Sequence, residues 1–173
     1  IKIDINGELI WEKAFGNKAF PNHEWAYDVV QLSDGGFIIS GARDRYDQGG
    51  LNGLVIRINE EGEKIWEKEF LEEEGNSEII YSISGSINGA YFLCASVNSI
   101  TAPLVYQPKI IKIDEAGNIE WERTFISNSR DYHQFRGIST SSGGVVIVGS
   151  SSNQSSVRQK EDAFMTKIDS KGN

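Results

Sequence analysis

Apolar and polar residues alternate singly through much of the chain. Ile1, Ile3 and Ile5 enclose Lys2 and Asp4, and Ile10 and Glu12 flank Trp11. A period of two marks half-buried β-strands, and no stretch carries a convincing helical stripe. Short polar turns separate the alternating runs: Asp4 to Gly7, Asn59 to Gly62 and Asp114 to Gly117, each closing on glycine. Glycine in that place supplies the positive φ that such hairpins need. Asp34-Gly35-Gly36, Asn88-Gly89 and Gly143-Gly144 predict a second set of hairpin turns.

The runs also repeat. Ile1 to Gly16 reads IKIDINGELIWEKAFG, Ile56 to Phe70 reads IRINEEGEKIWEKEF, and Ile111 to Phe125 reads IKIDEAGNIEWERTF. Thr166 to Asn173 restarts the phrase. Gly7, Gly62, Gly117 and Gly172 stand 55 residues apart, as do Trp11, Trp66 and Trp121. A second phrase, AYDVVQLSDGGFIISG at Ala26 to Gly41, returns at Gln134 to Gly149 and more loosely at Ile80 to Ala95. Each unit therefore has four predicted strands: A at about 26–32, B at 36–42, C at 53–59 and D at 64–70 in the first full unit. The count is thirteen strands, in the order C-D, A-B-C-D, A-B-C-D, A-B-C.

Four-stranded antiparallel units at such a period predict an all-β fold of β-propeller blades. The units fall at about 1–16, 26–70, 80–125 and 134–173, in one propeller region spanning 1–173. A single sheet of this kind cannot bury both faces, so blades stack. The repeated Trp11, Trp66 and Trp121 of strand D are expected to pack between neighbouring blades. About three blades cannot close a ring by the usual geometry. The expectation is an arc or fragment of a larger propeller, with further blades from the same parent chain or from a homo-oligomer.

The phrase Asp-x-x-Gly-x-x-x-Trp, at Asp4–Gly7–Trp11 and Asp114–Gly117–Trp121, resembles the tryptophan-docking repeat of quinoprotein-like (PQQ-like) propellers. It is closer to repeats of bacterial and archaeal surface proteins and lipoproteins, in which K-I-D-x-x-G-x-x-x-W precedes a D-G-G-apolar phrase such as Asp34 to Gly41. The quinoprotein pattern has Thr or Ser before the turn glycine, whereas Asn6, Glu61, Ala116 and Lys171 stand here. Asn59 also replaces the turn Asp. The resemblance implies a scaffold or binding module of a cell-envelope or secreted protein, placed outside the cell, at its surface or in the periplasm. The alternative it implies is part of a quinoprotein-like oxidoreductase or another propeller-borne enzyme. Quinoproteins often set a disulfide of adjacent cysteines beside a calcium-bound quinone, and Cys94 alone cannot form that ring.

Seventeen basic against twenty-five acidic residues give a formal charge of −8, which disfavours nucleic acid as a partner. The apolar runs are too short for a transmembrane helix. One cysteine excludes an internal disulfide and any Cys-based zinc site.

Variable segments fall between D and A strands and between B and C strands, and all of them should crowd one face. Loops on a rigid scaffold commonly carry binding. His23, Trp25, Arg43, Tyr46, Tyr106, Arg130, Asp131 and His133 are the ligand-loop candidates. Trp25 stands out as the only Trp outside the repeated position. Asp44, Asp47 and Asn52 cluster oxygen ligands in a Gly-rich loop and are a weak calcium candidate, off the EF-hand spacing. The acidic run from Glu60 to Glu74 is read as a solvated edge strand. Tyr27, Tyr81 and Phe135 align in strand A and are read as repeat packing, and Cys94 as a small core residue. No residue is assigned a catalytic or cofactor-binding role. The sequence points to recognition of a protein or glycan through loops on one face.

Overall fold

Why the alternating runs become sheets is visible in the two faces of each central strand. In a computed structural model, residues 1–16, 23–45, 49–70, 76–85, 89–99, 106–125, 130–153 and 161–173 are described. They form thirteen strands and no helix. A two-stranded sheet comes first, β1 (Lys2–Ile3) with β2 (Leu9–Trp11). Next is a four-stranded meander of β3 (Glu24–Gln31), β4 (Phe37–Asp44), β5 (Leu51–Ile58) and β6 (Lys64–Phe70). A second meander holds β7 (Asn76–Gly85), β8 (Tyr91–Ser99), β9 (Tyr106–Ile113) and β10 (Ile119–Thr124). The last sheet has β11 (Arg130–Ser139), β12 (Val145–Asn153) and β13 (Glu161–Ile168). All pairings are antiparallel.

The sheets stack face to face. Strand β7 lies against β3, β4 and β5, and β11 lies against β7, β8 and β9. Alternation sends neighbouring residues of one strand into different layers. Leu54, Ile56 and Ile58 of β5 face Trp11 and Phe15, while Val55 joins Ile80, Leu93 and Ile111 on the other side. In β8, Leu93 and Ala95 belong to that middle layer, whereas Phe92 and Cys94 meet Phe135, Val145 and Ile147. The two central sheets are thus covered on both faces, and the core is a series of joints rather than one centre.

Strand count and order agree with the sequence reading. The strand ends do not. Strands run further toward the variable connections than hydrophobic alternation indicated. Glu24 and Trp25 are already in β3, Arg43 and Asp44 still in β4, and Asn52 in β5. Arg130, Asp131 and His133 pair with Asn153, Ser152 and Ser150 as strand residues, not loop residues. In the β3–β6 sheet polar side chains extend the strands because cross-strand ion pairs of Arg43 replace apolar packing there.

Candidate functional site

Each joint is closed by a tryptophan on a turn. Gly62, Gly117 and Gly172 adopt φ of 77°, 76° and 88°, which L-residues with a Cβ rarely accept. The turns are held by their first residue: Asp4 Oδ1 accepts from the amides of Asn6 and Glu8 at 2.9 and 2.8 Å. Asp114 Oδ1 accepts from Asn118 at 2.8 Å, and Asp169 Oδ1 from Lys171 and Asn173 at 2.8 and 2.9 Å. Asn59 does the same work with its amide oxygen, accepting from Glu63 at 2.7 Å, so Asn in place of Asp leaves the turn intact. A Cβ added at Gly117 would lie 2.8 Å from Trp66 Cη2, at Gly62 3.2 Å from Trp11 Cδ2, and at Gly172 3.3 Å from Trp121 Cε3. Each indole therefore covers the turn of the following sheet. Trp11 Nε1 also donates to the Glu60 carbonyl at 3.0 Å. Phe15, Trp66 and Phe125 pack on the same joints.

A second row crosses the joints through the first strands. The register of β3, β7 and β11 slips between Ala26 and Asp28, between Ile80 and Ser82, and between His133 and Arg136. Such bulges re-aim side chains. The aromatic at each slip is Tyr27, Tyr81 or Phe135, and the rings of Tyr27 and Tyr81 lie 5.4 Å apart. Asp28 Oδ2 accepts from the Ile83 amide in the next sheet at 3.1 Å, and Ser82 Oγ from the Gly137 amide at 3.4 Å. Arg136 Nη1 reaches back to the Tyr81 carbonyl. Burial pushes the Tyr27 and Tyr81 hydroxyls above the usual phenol range.

The end of the sheets bearing the variable connections is charged, and its main ion pairs close within each sheet. Arg43 meets Glu24 Oε1 at 3.1 Å, Glu67 Oε1 at 2.5 Å and also Glu69. Asn52 Nδ2 donates to Glu69 Oε2 at 2.6 Å. Burial alone would raise the Glu67 carboxyl, but hydrogen bonds from Lys64 and Arg43 outweigh it and hold the group below its ordinary value. In the next sheet, Lys109 meets fully buried Glu78 at 3.0 Å and Glu122 at 3.2 Å. Glu24 and Glu78 hold one place in the first strand, and Glu67 and Glu122 one place in the last. The bridging cation comes from the second strand in one sheet and the third in the other. Sequence reasoning missed this device because the cations do not align.

The candidate residues separate accordingly. Tyr46 and Asp47 lie outside the described residues, as do most of the variable connections. For Arg130, Asp131 and His133 the strand positions are described and their side chains are not. Arg43 is committed to its three carboxylates. Asn52 binds Glu69, and the Asp44 amide donates to the His23 carbonyl at 2.9 Å, so these two sit in neighbouring strands of a paired ladder. Among the described residues, no group of three or more His, Cys, Asp or Glu could hold a metal ion. Tyr106 is half-buried at the start of β9. His23 is exposed, and its ring lies 5.8 Å from that of Trp25.

Trp25 leads to a cleft on the molecule's described surface. It measures about 610 Å³ and runs between β1–β2 and the face of β3–β5. Trp11, Phe15, Trp25, Tyr27, Phe37 and Ile56 line it, with Lys2, Lys13, Glu24 and Asp28 as its charged members. It can take an apolar or aromatic surface edged by hydrogen-bond acceptors. No helix among the described residues is long and apolar enough to cross a membrane.

The chain is an all-β protein of antiparallel sheets stacked joint upon joint. No family model matches it, and no curated protein matches it.

Proposed function

We propose that these sheets are blades of a β-propeller and that the chain is a non-enzymatic scaffold of a cell-envelope or secreted protein. It recognises a protein or glycan through the connections at one end. The observation that carries this reading is the polarity of the stack. Simple meanders return every Asp/Asn-x-x-Gly turn to one end, where indoles pack on three of the four, and send every variable connection to the other. One end is thereby spent on holding the sheets together, and the other is free to vary without cost to the joints. Arg43 and Lys109 beneath the variable end are each paired with carboxylates of their own sheet, which suits a platform better than a reaction centre.

The test is a glycan array together with an immobilised peptide panel, probed with the whole chain. Binding is expected, and it is lost when residues 100–105 or 154–160 are replaced by Gly-Ser linkers of equal length. Tryptophan fluorescence stays unchanged in both variants. Binding that survives both replacements, or no binding on either panel, overturns the reading.

A further inference from the structure

We propose that the variable end of the joint between the β7–β10 sheet and the β11–β13 sheet seats one uncharged sugar unit of a glycan. Ser96 and Asn98 hold its hydroxyls, and Tyr106 stacks on its ring. The proposal rests on the reading of the variable end as the recognition end, and it adds the place, the residues and the ligand class.

Strand β8 supplies the two polar groups. Phe92 and Cys94 face the last sheet, so alternation turns Ser96 and Asn98 the same way, further toward the variable end. Ser96 is 2% exposed and Asn98 8%. Ser96 Oγ and Asn98 Oδ1 are both buried, and neither has a hydrogen-bond partner among the described residues. Native proteins rarely leave two such atoms on one face of one strand, because each forgoes its hydrogen bonds to water. The repeat does not require them. Ala42, fully buried opposite Trp25, holds the place that Ser96 holds opposite Ile79.

The neighbours complete a binding surface. Register places Ile79 and Pro108 on either side of Ser96, and Tyr106 beside Asn98. Cross-strand partners share a face, so these side chains border the same stretch. Pro108 is buried, while Ile79 and Tyr106 are half-buried, so the stretch rises from the closed joint to the surface. Across the joint, Ser151 of β12 is 1% exposed and continues the row of Val145 and Ile147. An apolar surround with a few convergent polar groups is what small-ligand sites have in common.

Charge and geometry narrow the ligand. None of these residues is charged. The ion pair of this sheet belongs to its other face: a Cβ on Gly53 of β5 would lie 3.2 Å from Glu78 Oε1, and Lys109 is bound to Glu78. An ion would therefore enter without a counter-charge. Asn98 Oδ1 calls for a donor, Ser96 Oγ can give or accept, and Tyr106 offers a flat apolar ring. A neutral sugar has hydroxyls along its rim and C–H groups on its face, and so meets all three at once. An added peptide strand would need a free strand edge, and β8 is paired on both sides.

The experiment is saturation-transfer NMR on the whole chain with the methyl glycosides of glucose, galactose, mannose and N-acetylglucosamine. Transfer from the protein's aromatic protons to at least one of them is expected, and it is expected to disappear in Asn98→Leu and in Ser96→Ala. The melting temperatures of both variants are expected to hold or rise, because each removes a buried polar atom that had no partner. No transfer to any glycoside overturns the proposal, as does transfer that persists in both variants. A clear fall in the melting temperature of Ser96→Ala overturns it too, since the hydroxyl would then be satisfied within the fold. A hit on the peptide panel without glycoside transfer sinks this seat and leaves recognition by the connections standing. Transfer that survives replacement of residues 100–105 and of 154–160 does the reverse.

Discussion

Trp121 donates its indole N–H to the Ser170 carbonyl at 3.1 Å, across a joint and 49 residues along the chain. Trp11 makes the same bond to Glu60 at the same separation. The indole therefore does two things at once. It covers the glycine of the following turn, and it satisfies the carbonyl two residues before that glycine.

Trp66→Ala removes an indole packed on Gly117 and on the middle layer of the core. The side chain is half-buried, so the expected loss is about 3 kcal/mol, the low end for a large aromatic truncated to alanine. Gly117→Ala meets the same indole from below at a positive φ, and its expected cost is about 1–3 kcal/mol. Urea denaturation of both variants and of the pair checks this. The two losses are expected to be less than additive, because each removes the same contact.

Lys109→Met leaves the Glu78 carboxylate buried without its cation. The expected destabilisation is about 3–5 kcal/mol. Replacing both, Glu78→Leu with Lys109→Met, is expected to recover most of it, since an apolar pair of similar volume carries no desolvation cost. Equilibrium unfolding of the single and double variants decides the matter. An unaffected single variant would show that the Glu78 carboxyl is protonated or solvated once Lys109 is gone.

Backbone amides hold the turn carboxyls below their ordinary value: Glu8 acts first on Asp4, Asn118 on Asp114 and Asn173 on Asp169. The folded pKa lies below the unfolded one, so the stabilisation is complete above the unfolded value near 3.8. It is lost as pH falls through the lower folded value. Asp114→Asn copies the non-titrating turn at Asn59 and is expected to flatten the acid limb of the stability curve while leaving neutral stability nearly unchanged. Melting temperature followed from pH 5 downward measures it.

Burial, with the charge of Asp28 second, pushes the Cys94 thiol up to about 12. No thiolate is available at neutral pH, so native protein is expected to resist a disulfide reagent and to react stoichiometrically once unfolded in guanidinium. Rapid labelling of native protein would contradict the packing of Cys94 against β11 and β12.

The stacked sheets were legible because a 55-residue period puts the same chemistry at the same place three times. Trp66 and Gly117 are each readable from their copies. The aligned Tyr27 and Tyr81 do touch, as alignment indicated. What was not legible depends on non-repeated solutions to a repeated problem. Arg43 and Lys109 bridge matching carboxylates from different strands, so neither marks its partner in the sequence. Glu24, Arg43 and Asn52 looked like loop residues because polarity alone does not separate a solvated loop from a strand end closed by ion pairs. Trp25 was singled out as unrepeated. Its surroundings, an uncovered joint, became visible only when the sheets were placed.

The two charge clusters each close within one sheet, whereas indole docking runs between sheets through carbonyls and glycine. Cohesion of the stack and neutrality of the platform are thus written on separate residues. Substitutions that retune the exposed surface charge can therefore accumulate without the stack registering them.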